Sequence, residues 1–401
     1  VSSTGASTPV NSGNGVADAA LTDTTGPATI NGAEGNTLNN VIIATFDDAN
    51  PSAPLADYTL ASVSYTGSPT FIGTPSYQIL ANGAPSGGFA HWKVVASNLT
   101  FAEAGTYTVS AVKINDEGGS SLTTASGNTT FVIADAGLTD TTPSNSTVSA
   151  TEGNGFTNLL LMTFDDANPS ATASDFSVTS VSYTGAPTFT SGPSYQVLAN
   201  GAASGGFSHW KVVVSGTVAE KGNYTATVNV ADTDGKTASS SNTTLAVADA
   251  ALSDTTPAQG TVNGTEGNAL TNVVIATFDD ANPSATAADF PAGNISVSYT
   301  GAPSFIGTPT YQVMANGAPS GGVSHWKVIA SGTFSEEGNF GVNVTVTDVD
   351  GNSTSTSNTT FAVSDQAVVA TAGASINAVE NGSTGLVVLA TFTDPAGPEA
   401  L

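Results

Sequence analysis

Cysteine is absent, and so is arginine; six lysines carry all of the fixed positive charge. The first absence removes disulfides, thiolate metal sites and a cysteine nucleophile. The second, set against 32 acidic residues and a formal charge of −26, leaves no basic surface able to hold a phosphate backbone, which excludes nucleic acid as a partner. Charged residues are only 9% of the chain, against roughly one quarter in an ordinary soluble domain, so hydroxyl and amide groups must cover the surface. No apolar run approaches the roughly 20 residues needed to cross a bilayer, and no basic-then-apolar leader opens the chain. No membrane span is therefore expected in this segment, and any export signal is expected outside it.

What is present is repetition. Thr-Phe-Asp-Asp-Ala-Asn-Pro-Ser-Ala occurs at 45–53, 163–171 and 277–285, and His-Trp-Lys-Val begins at His91, His209 and His325. Glu-Gly-Asn triplets start at Glu34, Glu152 and Glu266, 118 and 114 residues apart, which is the length of one immunoglobulin-sized domain. The expected organisation is residues 1–20 as the tail of a preceding repeat, repeats at 21–137, 138–251 and 252–366, and the start of a fourth, incomplete repeat at 367–401. With 39% of its residues hydrophobic, the chain can give each repeat its own core.

Within a repeat, the segments 41–46, 58–65, 77–81, 90–96, 107–114 and 129–133 are rich in β-branched and aromatic residues, and turn formers such as Asn82-Gly83 and Gly87-Gly88 separate them. No helical period competes. About seven short strands per repeat predict an all-β chain of tandem immunoglobulin-like β-sandwiches, arranged as beads on a string.

The stretch Phe101-Ala-Glu-Ala-Gly-Thr-Tyr-Thr-Val109, followed by Asn115-Asp-Glu-Gly-Gly119, resembles the second half of PKD-type immunoglobulin-like domains. Ala-Thr-Phe-Thr-Asp-Pro-Ala-Gly-Pro-Glu-Ala-Leu at 390–401 is similar to the opening of repeats in large bacterial surface proteins. The resemblance implies an extracellular or cell-surface location and a spacing, adhesive or surface-layer role without catalysis.

The acidic residues fall at the ends of the sandwich. The repeated Asp-Asp-Ala-Asn-Pro phrase puts Asp47, Asp48 and Asn50, and likewise Asp165 and Asp166, and Asp279 and Asp280, in the loop after an apolar strand. In the last hairpin, aligning Gly118 with Gly235 and Gly351 makes Glu117 the counterpart of Asp234 and Asp350, and Asn115 that of Asp232 and Asp348. The linkers add Asp135 and Asp140 before the second repeat, and Asp249 and Asp254 before the third. From the opposite end of the preceding repeat come Glu34 and Glu103, or Glu152 and Glu220. Converging carboxylates repel unless something neutralises them, and a hard cation preferring six to eight oxygens, Ca2+, is the expected occupant. A second reading stays open: Asp and Asn cap turns, and an acidic protein keeps its charge on solvated loops.

His91, His209 and His325 are one position copied three times, with no partners evident beside them in sequence. Alternation puts Trp92, Trp210 and Trp326 on the core face, with an exposed sugar-stacking platform as the competing reading. Tyr107 and Tyr224 stand where a tyrosine corner falls, and Phe340 takes that place in the third repeat. Sequons such as Asn98, Asn128, Asn242 and Asn358 permit glycosylation without arguing for it. The expected function is a structural one, as a filament, stalk or surface layer built with neighbouring repeats or copies of the same protein. An adhesin that recognises a glycan or a host surface is the alternative, and an enzyme is not expected.

Overall fold

Alternating apolar and polar residues become strands with one face buried and the other exposed, and nearly the whole chain is built this way. The computed structural model describes residues 18–125 and 127–394. Expectations that fall on residues 1–17 and 395–401 lie outside the described residues.

Repeat 1 contributes β1 (Leu21–Asp23), β2 (Ala28–Ala33), β3 (Thr37–Leu38), β4 (Val41–Asp48), β5 (Tyr58–Thr66), β6 (Ser76–Ala81), β7 (Ala90–Ser97), β8 (Leu99–Thr100), β9 (Gly105–Asp116), β10 (Ser121–Thr123) and β11 (Thr129–Ala134). Repeat 2 follows with β12 (Leu138–Asp140), β13 (Ser146–Thr151), β14 (Gly155–Asp166), β15 (Phe176–Tyr183), β16 (Phe189–Ala199), β17 (Ser208–Val218), β18 (Gly222–Asp232) and β19 (Thr237–Ala248). Repeat 3 has β20 (Leu252–Asp254), β21 (Gly260–Thr265), β22 (Ala269–Asp280), β23 (Ile295–Tyr299), β24 (Thr310–Ala315), β25 (Ser324–Thr333), β26 (Gly338–Thr347) and β27 (Ser353–Ser364). A hairpin-like pair, β28 (Val369–Ala372) and β29 (Ala390–Thr393), closes the described chain.

Each repeat is a two-sheet sandwich. In repeat 2 one sheet runs β12-β14-β17-β16 and the other β13-β19-β18-β15, and repeat 3 has the same order. The opening segment changes sheets: β12 is antiparallel to β14, whereas β13 is parallel to β19. Pro143 lies between them, as Pro27 and Pro257 do in the other repeats, and a residue without an N–H interrupts a ladder at such a crossing. Asp140 and Asp254 shape the same crossing, their Oδ1 atoms accepting the backbone N–H of Thr142 and Thr256, both at 2.9 Å.

The tryptophans settle in the core as alternation predicts. Trp92, Trp210 and Trp326 are 5–7% exposed and pack against Tyr58, Phe176 and Phe290 at centroid separations of 4.9, 4.9 and 5.0 Å. Rings so covered cannot serve as a sugar-stacking platform, which corrects that competing reading. Two further expectations are corrected. Asp47 and Asp48, Asp165 and Asp166, and Asp279 and Asp280 do not sit in a loop: β4, β14 and β22 continue through them, pairing the first of each with His91, His209 and His325 and the second with Ala90, Ser208 and Ser324. In the last hairpin it is Gly119, at φ 102°, that matches Gly235 and Gly351 at 107° and 102°. Asp116, whose N–H donates to Ser120, is therefore the counterpart of Asp232 and Asp348, and Gly118 stands where the later repeats have Asp234 and Asp350.

Candidate functional site

The seam between repeats 1 and 2 is built from backbone outward. Asn168 follows β14, held by its own N–H to Asp166 Oδ1 at 2.9 Å, and its side chain reaches back to donate to the Ala102 carbonyl of the preceding repeat at 3.4 Å. At the next seam Asn282 donates to the Ala219 carbonyl at 3.2 Å. The surface each asparagine meets is a glycine at positive φ: Gly35 (69°) and Gly153 (65°). A Cβ at Gly35 would stand 2.3 Å from Asn168 Oδ1, and one at Gly153 2.1 Å from Asn282 Oδ1, so the close approach of two repeats needs the missing side chain.

The buried glutamate before each of these glycines holds the linker. Glu34, Glu152 and Glu266 accept through Oε1 from the backbone N–H of Ala136, Ala250 and Gln366, at 3.3, 3.2 and 3.1 Å. The corner glutamates stand beside them because Tyr107 Oη donates to the Glu103 carbonyl (3.0 Å) and Tyr224 Oη to the Glu220 carbonyl (3.1 Å). These tyrosine corners match the sequence expectation; Phe340 instead stacks on Phe334 at 5.3 Å.

Three acidic groups result whose oxygens lie within 4.8 Å of one another: Glu34, Glu103 and Asp234; Glu152, Glu220 and Asp350; Glu266, Glu336 and Glu337. The first two each combine the preceding repeat with the last hairpin of the next, as the sequence suggests. Behind them lies a second layer. Asp166 feels the charges of Asp232 and Asp135, and Asp280 those of Asp348 and Asp249. Burial, reinforced by these neighbouring carboxylates, pushes Glu34 and Glu152 up to about 7 and Asp166 and Asp280 up to about 6.

Four expected members are not brought in. Asp140 and Asp254 cap the sheet crossing described above, and Asp165 and Asp279 point to the other face of their strands. There they meet the histidines. His91 Nδ1 lies 2.7 Å from Asp47 Oδ1, and its Nε2 lies 2.9 Å from Ser86 Oγ. Ser204, His209 and Asp165, and Ser320, His325 and Asp279, repeat the arrangement at the same distances. The partners missed in sequence are a cross-strand aspartate and a serine five residues upstream in the hairpin bend. The three-part chain is the order of atoms that activates a serine nucleophile, yet here it closes the tip of each hairpin onto its sheet. Asn168 and Asn282 occupy the position of Asn50, which is expected from the sequence as an oxygen at the sandwich end; missed there is that they act as amide donors to the neighbouring repeat.

No family model matches the chain, and no curated protein matches it in sequence. Among solved structures it is similar to protocadherin gamma B2 extracellular cadherin domains 1–5, at 14% identity and a TM-score of 0.25, covering 87% of this chain and 61% of that one. It is similar to an I-band fragment of titin at 11% identity and a TM-score of 0.28, covering 86% and 99%. It is similar to the sialic-acid-binding region of a Streptococcus sanguinis adhesin at 12% identity and a TM-score of 0.21, covering 86% and 78%. Scores this low carry no likeness of whole-chain arrangement, and the tandem immunoglobulin-like fold rests on the strand pairings themselves.

Proposed function

We propose that this chain is a structural spacer of an extracellular or cell-surface assembly, a run of immunoglobulin-like repeats held end to end by tight seams and stiffened by Ca2+ at acidic junctions. The reading includes the sequence-based repeat boundaries and the PKD-type or bacterial immunoglobulin-like character of the repeats. The observation that carries it is the seating of Asn168 and Asn282 over Gly35 and Gly153: repeats joined by free linkers have no use for a glycine that admits a neighbour's side chain.

The cation reading rests on the first junction. Glu34 is 6% exposed, and no N–H or hydroxyl donates to its Oε2, which faces the oxygens of Glu103 and Asp234 and can pair with Asp234 only through a shared proton. A buried carboxylate oxygen in that position needs a proton or a cation. Asp135 Oδ1 is buried without a partner in the layer behind, as Asp249 Oδ1 is at the second junction. The test is small-angle scattering of the chain in calcium and in chelator. An extended rod that loosens in chelator supports the proposal, and a flexible string of beads under both conditions defeats it.

An adhesin is the second reading, with Phe89 and Phe207 exposed at two hairpin tips as its supporting observation. The third tip has Val323 at that place, so the aromatic pattern does not run through the repeats. Binding on a glycan array abolished by Phe89→Ala and Phe207→Ala would establish it.

A further inference from the structure

We propose that the residue following the corner glutamate decides whether a junction draws its neutralising cation from solution or supplies its own, so that the first junction is a divalent-cation site and the second is not. The inference rests on the cation reading above and assigns it to one seam. In the three repeats the residue is Ala104, Lys221 and Glu337, each followed by the glycine that opens the next strand.

Lys221 crosses the second seam. Its ammonium lies 3.6 Å from Asp249 Oδ2 and 3.8 Å from Asp350 Oδ1, and donates to the Asp350 carbonyl. It thus sits among the carboxylates of the linker and the next repeat, where an ion would have to bind. Its backbone N–H also donates to Glu152 Oε2 at 2.8 Å, so that with Oε1 on Ala250 both oxygens of this buried glutamate are satisfied. A lysine supplies one charge and three donors without needing an ion from solution.

At the first seam the lysine stands elsewhere: Lys236, in the last hairpin of repeat 2, acts on the linker's Asp135, and no lysine follows the corner glutamate. Ala104 has no charge to offer, and its N–H turns away from the glutamate to donate across the junction to Asp234 Oδ2 at 3.1 Å. Glu34 Oε2 is left buried with no N–H or hydroxyl donating to it, beside the oxygens of Glu103 and Asp234, so that only a proton shared with Asp234 or a cation can meet it. Asp135 and Asp232 add charge from the layer behind, where Lys236 offsets part of the charge on Asp135 without entering the Glu34, Glu103 and Asp234 group. The chemistry that fits is a hard divalent cation taking carboxylate oxygens from both repeats and completing its shell with water. Affinities of acidic extracellular calcium sites lie on the order of 10⁻⁴–10⁻³ M, which sets the range for the measurement.

The experiment is calorimetric titration of the full chain with Ca2+, comparing the unaltered protein with Ala104→Lys and Lys221→Ala. Because only the difference in equivalents is read, ions held by the acidic end of repeat 3 cancel. The expected result is the loss of one equivalent in A104K and the gain of one in K221A. Lys221→Met, which keeps the stem and removes the charge, is expected to gain the same equivalent, and Ala104→Met to keep the original one. Circular dichroism melts establish that each variant is folded.

If the unaltered chain binds no Ca2+ at millimolar concentration, the cation reading itself falls and this inference with it. If it binds, but A104K keeps its equivalent and K221A adds none, the assignment to this residue is overturned and the cation reading stands. If A104M loses the ion as A104K does, crowding rather than charge governs the site, and the inference is likewise overturned.

Discussion

The two complete junctions share a shape and differ in charge. Each seats an asparagine on a glycine, each has a buried glutamate holding the linker, and each has a tyrosine corner placing a second glutamate. After the corner glutamate, however, one has an alanine and the other a lysine, while the first seam's lysine, Lys236, stands behind at Asp135 where the second has Asn352. The shared parts of a seam are the asparagine on its glycine, the buried glutamate and the tyrosine corner, and the residue after the corner glutamate is free to vary.

The sharpest break in this comparison removes the shared shape. Gly35→Ala and Gly153→Ala each put a Cβ at positive φ and within 2.3 or 2.1 Å of the neighbour's asparagine oxygen. The cost is roughly 2–4 kcal/mol of seam stability, from backbone strain and overlap together. Limited proteolysis in the linkers is expected to cut Gly35→Ala near residues 135–140 and Gly153→Ala near 249–254, with the individual sandwiches intact. Equal resistance of both variants would mean that the glycines do not seat the repeats.

The next largest effect concerns pH. In Glu34, Glu152, Asp166 and Asp280 the folded chain holds a proton more tightly than the unfolded chain does, since all four are raised by burial. Stability from protonation is then fully present below the unfolded values and lost as pH rises through about 6 to 7. In chelator the melting temperature is expected to fall by several degrees between pH 5 and pH 8, opposite in sign to ordinary acid denaturation. Calcium in excess competes with the protons and is expected to flatten the first-junction share of that decline. A chelated chain most stable at pH 8 would mean that these carboxylates are not held together against their charge.

Much of this arrangement is legible in the sequence, and the gaps have physical causes. The period, the tandem sandwich and the meeting of Glu34 and Glu103 with Asp234 follow from the repeats and from which sandwich end each turn occupies. The last hairpin of repeat 1 was shifted by one because Glu-Gly-Gly offers two glycines to align, and only backbone φ distinguishes Gly119 from Gly118. Asp47 and Asp48 read as loop because aspartate is depleted from strands, yet a cross-strand histidine and a buried tyrosine hydroxyl each take one of them. Lys221 gives no signal in the sequence, since its partners lie 28 and 129 residues away in the chain.

The same logic of one fold with local exchanges extends into the cores, where the effects are smaller. Trp210 Nε1 donates to Ser208 Oγ at 2.8 Å, and that hydroxyl donates to the carbonyl of Asn168, the seam asparagine. Ser324 does the same between Trp326 and Asn282. Repeat 1 has Ala90 at this place, and Trp92 Nε1 is buried without a partner. Ser208→Ala is expected to destabilise repeat 2 by about 1–2 kcal/mol, since it strands a buried donor. Ala90→Ser, the reverse exchange, is expected to stabilise repeat 1 by about 1 kcal/mol. Chemical denaturation read from tryptophan fluorescence checks both, because each repeat contains a single tryptophan. Opposite signs for the two exchanges would establish that the serine is a transferable link between core and seam. A destabilising Ala90→Ser would mean that Tyr58 and Asp48, joined at 2.7 Å in repeat 1 where repeats 2 and 3 have Phe176 and Phe290, have already closed that space to a hydroxyl.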